Sequence, residues 1–231
     1  MLTQILSGNF TLSSIIAEII AVLVIIFLIL PFHEWAHAFT ASLLGDKAIK
    51  YRGRLSLNPV SHIDPIGALC MLLFGFGWAK PVPIDPRNFK NPKAGMAVCA
   101  LMGPVANLVA AFAGMLILNA LIFFAGSFML TTAVGGFLIT FLSFYISCNI
   151  SLAVFNLIPI PPLDGSKILF VFLPDSAVNF FYRYQNIFFI VLFVLLYMGA
   201  FNGVLNTVTN VVYSGINWLA ALPFNLLSGI I

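Results

Sequence analysis

Long apolar runs constrain this chain more than any other feature. Ile15–Leu30 reads IIAEIIAVLVIIFLIL, inside an apolar segment from about Leu12 to Leu44. Further runs cover Ala94–Phe128, about Met129–Leu157 and about Tyr184–Phe201. None alternates with the period of two that a β-barrel strand needs. A helix rising ~1.5 Å per residue crosses the ~30 Å hydrocarbon core in about 20 apolar residues, so each of these runs is a candidate span. Composition agrees: 61% of residues are hydrophobic and 7% charged. Soluble domains hold about 45–50% and about 25%. The expected fold is therefore an all-α polytopic membrane protein with about 4–6 transmembrane helices. The expectation includes a membrane-embedded re-entrant or β-hairpin segment around 65–85. There "GALCMLLFGFGW" is apolar, Gly-rich and too short to span.

The chain is expected to form a single integral-membrane domain over 1–231, with a core of about 12–201. The stretch 202–231 carries no charge and is either a tail or an extra span. No Lys or Arg precedes the first apolar run, so that helix is expected to persist rather than act as a cleaved signal. Cys70, Cys99 and Cys148 form no CxxC pair and read as small apolar helix residues. Of the ten Lys and Arg residues, eight lie in 46–94, and Lys167 and Arg183 lie between the third and fourth spans. Four crossings put all ten on one side. The positive-inside rule makes that side cytoplasmic and the N-terminus external.

Against this background "HEWAH" is anomalous. His33, Glu34 and His37 sit in an apolar helix, where each charged group costs about 2.5–3.5 kcal/mol. Residues i and i+4 share a helical face, so two imidazoles can ligate one zinc ion. Glu34, one position round, is placed to activate a zinc-bound water. A catalytic zinc needs a third protein ligand. Glu18 lies about four turns away and cannot reach. Asp46, Asp64, Asp85 and Asp175 lie in charged or Pro-rich loop text and read as solvated. His62 is a possible ligand or a loop histidine. Asp164, in "PIPPLDG", could be turned toward the first helix by its prolines and Gly165, or could cap the next helix.

"HEWAH" together with "NLIPIPPLDG" resembles the site-2 proteases, the zinc intramembrane metalloproteases. Their second motif, N-x-x-P-x-x-x-L-D-G, is filled here by Asn156, Pro159, Leu163, Asp164 and Gly165. "GWAKPVPIDP" and the "GPVAN" of Gly103–Asn107 resemble the compact bacterial and archaeal branch, and no PDZ or CBS segment is seen. The resemblance covers roughly 15–200. It implies one Zn2+ per chain held by His33, His37 and Asp164, with Glu34 as catalytic base. It implies Asn156 as a substrate-binding residue near the metal. An amide suits that role, because it offers both a donor and an acceptor to a peptide that has unwound. Asn107 either lines the site or serves helix packing around Gly103 and Pro104.

The resemblance thus implies a zinc-dependent intramembrane endopeptidase acting in or near the transmembrane segment of a membrane protein substrate. It would reside in a bacterial or archaeal plasma membrane. Its basic loops 46–94 and 165–183 would be cytoplasmic, its partners would be that substrate and the lipid bilayer, and no nucleic acid would be involved. Two other readings use the same residues. One is a membrane metal-ion transporter with His33, His37 and Asp164 as a transit site. The other is an inactive membrane scaffold.

Overall fold

Pro31 shapes the first helix. It has no N–H to offer the preceding turn, and its ring crowds the carbonyl four residues back. The chain answers with one π turn, Ile25–Ile29, in which the Leu30 N–H reaches Ile25 O. An α-helix follows over Leu30–Leu44. Together these form α1 (Val22–Leu44), long and apolar enough to cross a membrane. The computed structural model describes residues 19–20, 22–74 and 77–228. Glu18 and the N-terminal end of the first apolar run lie outside them. The chain divides into two compact units, Met1–Gly103 and Pro104–Ile231.

In the first unit, Gly45 ends α1 at φ +123°, a value L side chains rarely adopt. A Cβ there would also sit 2.6 Å from Asn88 O. A short helix α2 (Ala48–Tyr51) follows. Helix α3 (Pro65–Phe74) starts at Asp64, whose Oδ1 accepts from the N–H groups of Ile66 and Gly67, both at 2.9 Å. Pro65 fits the first turn, where a missing N–H costs nothing. The chain then returns. Ile63 and Ala79 form an isolated antiparallel bridge, and Lys80 N donates to His62 O at 2.8 Å. Gly67 and Gly77 permit the close approach, since a Cβ on either would meet the facing backbone. Of the segment around 65–85, expected as a re-entrant or β-hairpin segment, the described residues form a helix, Pro65–Phe74, and an extended return from Gly77. No strand ladder forms among the described residues, because Pro81 and Pro83 lack the donors a ladder uses. Removing the Asp64 cap by Asp64→Ala is expected to cost about 1 kcal/mol, read as a lower Tm in detergent at unchanged helix content.

Two clusters pack this unit. Val22, Ile26 and Met71 join α1 to α3. Ala38, Ala41, Ile49, Phe89 and Cys99 form the other, with Val82 and Ile84 against it. Asp46, read from the sequence as solvated, is fully buried. Its carboxylate accepts from Asp85 N at 2.8 Å and from Asn88 Nδ2 at 2.9 Å. The loop composition was a poor guide because Gly45 turns the chain inward. Asp85 does face solvent, where its side-chain bond to Arg87 holds the carboxyl down at about 2.

Helix α4 (Pro92–Thr131) runs through the boundary between the units and breaks at Ala125, whose φ/ψ is −132°/31°. In the second unit α5 (Ala133–Asn156) is capped by Thr132, whose side chain accepts from Gly135 N. Helices α6 (Asp164–Leu169), α7 (Asp175–Arg183), α8 (Gln185–Tyr197) and α9 (Asn202–Ser228) follow. The unit's core is Ala111, Met115, Leu118, Ile146, Ile150 and Ala220. Ala220 belongs to α9, so Asn202–Ser228 of the uncharged stretch folds as a helix packed on α5. Truncating Ile150 to Ala should cost about 2–5 kcal/mol, measured by denaturation in detergent.

Among the described residues, α1, α4 and α5 are long and apolar enough to span a membrane. A fourth span is reached if α7 and α8, bent by 67°, count as one. The protein is an all-α polytopic membrane protein. The expected fourth run, about Tyr184–Phe201, is only thirteen residues of helix, Gln185–Tyr197.

Candidate metal centre

The i, i+4 spacing in α1 does what the sequence predicts. The Nε2 atoms of His33 and His37 lie 3.0 Å apart, and both residues are buried. Two nitrogens bound to one tetrahedral zinc at ~2.1 Å are separated by roughly 3.4 Å, so a few tenths of an ångström of ring movement admits the ion. The His37 ring is further fixed by its other nitrogen. Nδ1 lies 2.7 Å from the backbone carbonyl of Cys99. A carbonyl only accepts, so Nδ1 carries the proton and Nε2 keeps its lone pair. Metal-ligating histidines are commonly oriented in this way.

Gly103 completes the arrangement within this unit. A Cβ at that position would stand 2.5 Å from His37 Cε1 and 2.6 Å from His33 Cε1, and would also meet His37 Nε2. The sequence signal at Gly103 and Pro104 reads as helix packing, and packing it is. The atoms packed against, however, are the two imidazoles. The Cys99 carbonyl was not visible in the sequence at all, because it is a backbone group.

Glu34 is partly buried, and its Oε2 accepts from Val82 N at 3.1 Å. One carboxylate oxygen is therefore anchored to the extended return segment. His62 is buried, and its Nε2 lies 2.7 Å from Ser56 O. A nitrogen donating to a carbonyl is not available as a ligand, so His62 serves loop structure at that nitrogen. Asp64 caps α3, as described above.

Asp164 and Asn156 belong to the second unit. Asn156 is the last residue of α5, and its Nδ2 donates to Leu152 O at 3.0 Å, one turn back. The loop after it folds tightly. A Cβ on Gly165 would meet the Leu157 backbone and lie 2.6 Å from Ile158 O, so glycine alone fits there. Ser166 Oγ donates to Leu163 O at 2.6 Å. Asp164 opens α6, is buried, and pairs with Lys167 Nζ at 2.9 Å. The lysine and the helix start both stabilise the ionised carboxylate, the form in which an aspartate can act as a metal ligand.

Comparison with known proteins points the same way. Residues 120–199 match the model of peptidase family M50. The chain is 43% identical over 145 residues to YwhC of Bacillus subtilis (strain 168), which carries a provisional zinc-metalloprotease name. That match covers 63% of this chain and 65% of YwhC. Rip2 of Mycolicibacterium smegmatis (strain ATCC 700084 / mc(2)155), similarly named, is 31% identical over 144 residues, 58% of this chain and 49% of that one. The archaeal MJ0611 of Methanocaldococcus jannaschii, again similarly named, is 32% identical over 105 residues, 45% and 49% of the two chains. The chain thus spans just under two thirds of YwhC and about half of the other two. No solved structure gives a significant match.

Proposed function

We propose that the chain is a member of peptidase family M50, the site-2 proteases, whose model residues 120–199 match, and that it is a zinc-dependent endopeptidase cutting membrane proteins in or near a transmembrane segment. The observation that carries the proposal is the imidazole pair. Two buried Nε2 atoms lie 3.0 Å apart, one ring is oriented by the Cys99 carbonyl, and a carboxylate stands at the adjacent position of the same apolar helix. Packing gives no reason to place these groups there.

His33 and His37 would hold the zinc from α1. Asp164 is proposed as the third ligand, supported by its place in the second motif and by its buried carboxylate. The chain 1–231 would then act as one protease domain. When bound, zinc supplies Lewis acidity, which brings water within reach of a carboxylate base at neutral pH. Glu34 would be that base. Its Oε2 is tied to Val82 N–H, so Oε1 is the oxygen left to take the proton and to pass it to the departing amine. Asn156 would steady the unwound substrate backbone, with its side-chain oxygen accepting while Nδ2 remains on Leu152 O. The basic loops 46–94 and 165–183 would face the cytoplasm of a bacterial or archaeal cell, with the N-terminus outside.

Metal content tests this without a substrate. Purified wild type is expected to hold near one zinc per chain after loose metal is removed. His33→Ala and Asp164→Ala are each expected to lose at least about ten-fold in occupancy, because a three-ligand site does not survive as two. Folded wild type without zinc would reject the protease reading. Full occupancy in Asp164→Ala would reject that residue as a ligand.

A further inference from the structure

The segment after Trp78 reads AKPVPIDPRN. Its prolines have a consequence for Glu34. Between Lys80 and Asp85 only four backbone N–H groups exist, at 80, 82, 84 and 85. Each has one acceptor. Lys80 N donates to His62 O at 2.8 Å and Ile84 N to Val82 O at 3.0 Å. Asp85 N donates to Asp46 Oδ2 at 2.8 Å. Val82 N donates to Glu34 Oε2 at 3.1 Å. With Pro81 and Pro83 on either side, a slip of one residue would face Glu34 with no donor at all. A slip of two residues would have to take Lys80 N from His62 O or Ile84 N from Val82 O, so the observed register is the one that leaves both bonds in place.

That register has to be anchored, and the anchor is Asp46. It is fully buried, and its two oxygens take Asp85 N and Asn88 Nδ2. Arg52 Nη1 adds a bond to Pro83 O at 3.0 Å. Asp46 directly follows the glycine that ends α1, and its N–H donates to Ala41 O at 2.9 Å, so it is tied to the end of the helix that carries Glu34. A buried carboxylate serving two donors on a loop is costly unless both bonds form, which makes the attachment all-or-none.

We propose that Lys80–Asn88 is a strap that positions the Glu34 carboxylate through Val82 N–H, and that Asp46 is the positioning residue that holds the strap in register. The proposal rests on Glu34 being the base. It adds that the base needs a partner strand fixed from twelve residues further along the chain.

Two readouts test it in the full chain in detergent. The first is amide exchange over 80–89, which is simple because prolines give no signal. Asp46→Asn sets an NH2 group against one of the two donors. Exchange at Val82 is expected to rise at least about ten-fold, with zinc content unchanged. The second is cleavage of a quenched fluorogenic peptide carrying one apolar membrane-segment sequence. Asp46→Asn and Val82→Pro are each expected to lower kcat at least about ten-fold, with KM within about two-fold and zinc near one per chain. Val82→Pro removes the donor without touching a charge, so it stands if Asp46→Asn misfolds. Unchanged exchange in Asp46→Asn, or wild-type kcat in Val82→Pro, overturns the proposal. Loss of zinc in Val82→Pro also overturns it, since the strap would then serve the metal rather than Glu34. If wild type and Glu34→Gln treat the peptide alike, the function reading has failed instead, and the exchange result still decides whether Asp46 holds the strap.

Discussion

Glu34→Gln is expected to keep zinc near one per chain and to abolish peptide cleavage, with a loss of about 10²–10⁴ in kcat. The two side chains have nearly the same shape. The Gln carbonyl can still accept from Val82 N–H, so the bond seen at 3.1 Å survives. What disappears is the basic oxygen. An amide has no useful affinity for a proton near neutral pH, so activation of water fails while binding of metal and substrate remains. Glu34 is not among the proposed ligands, which is why zinc should stay. The checks are zinc per chain and initial rate on the same preparation. A wild-type rate would remove Glu34 as the base. Loss of zinc would instead make it a ligand. The variant also separates two causes of inactivity. Slow exchange at Val82 in Glu34→Gln, beside fast exchange in Asp46→Asn, would distinguish loss of the base from loss of its support.

What could be read from the sequence follows the range of each physical rule. The His33–His37 pairing was legible because i, i+4 geometry is local and nearly invariant. The long apolar runs were legible because lipid offers the backbone no other partner than itself. The start of α3 carried a signal too. Asp64-Pro65 is a cap followed by a favoured first-turn proline, yet the glycines after it suggested a loop or hairpin. Asp46 was misjudged because composition describes a neighbourhood along the chain, whereas burial depends on where the chain turns. Gly45 at φ +123° makes that turn. The Cys99 carbonyl and the Val82 N–H were beyond any reading of side chains, since every residue has the first group and every residue but proline the second. Only the proline spacing around Val82 hinted that one donor had been set apart. The second motif was legible as a pattern, and its local geometry explains its letters: Gly165 leaves room for the Leu157 and Ile158 carbonyls, and Asn156 ends α5 bonded to its own helix.

The second large effect is expected at Gly103. Gly103→Ala should weaken zinc binding about 10–100-fold, the range found when groups that orient metal ligands are disturbed. The new methyl would fall 2.5 Å from His37 Cε1 and 2.6 Å from His33 Cε1, closer than carbon atoms approach. Neither partner can yield freely. The His37 ring is tied by Nδ1 to Cys99 O at 2.7 Å, and that carbonyl belongs to the same helix as Gly103. Moving the helix away would carry the anchor with it, and turning the ring would break the anchor. Cys99 and Ala100, both buried, oppose a slide of that helical turn. Helix propensity points the other way, because Ala is favoured over Gly inside a helix by about 1 kcal/mol. A fall in zinc affinity could therefore not be ascribed to a weaker α4. Gly126→Ala is the control further along α4, just past its break at Ala125, since a Cβ there meets nothing within 4 Å. Competition against a chelator of known affinity would measure both variants. Gly126→Ala is expected to match wild type and Gly103→Ala to release zinc at lower chelator concentration. Equal affinity for all three would mean that the imidazole pair has room to retreat and that Gly103 is no part of the metal centre.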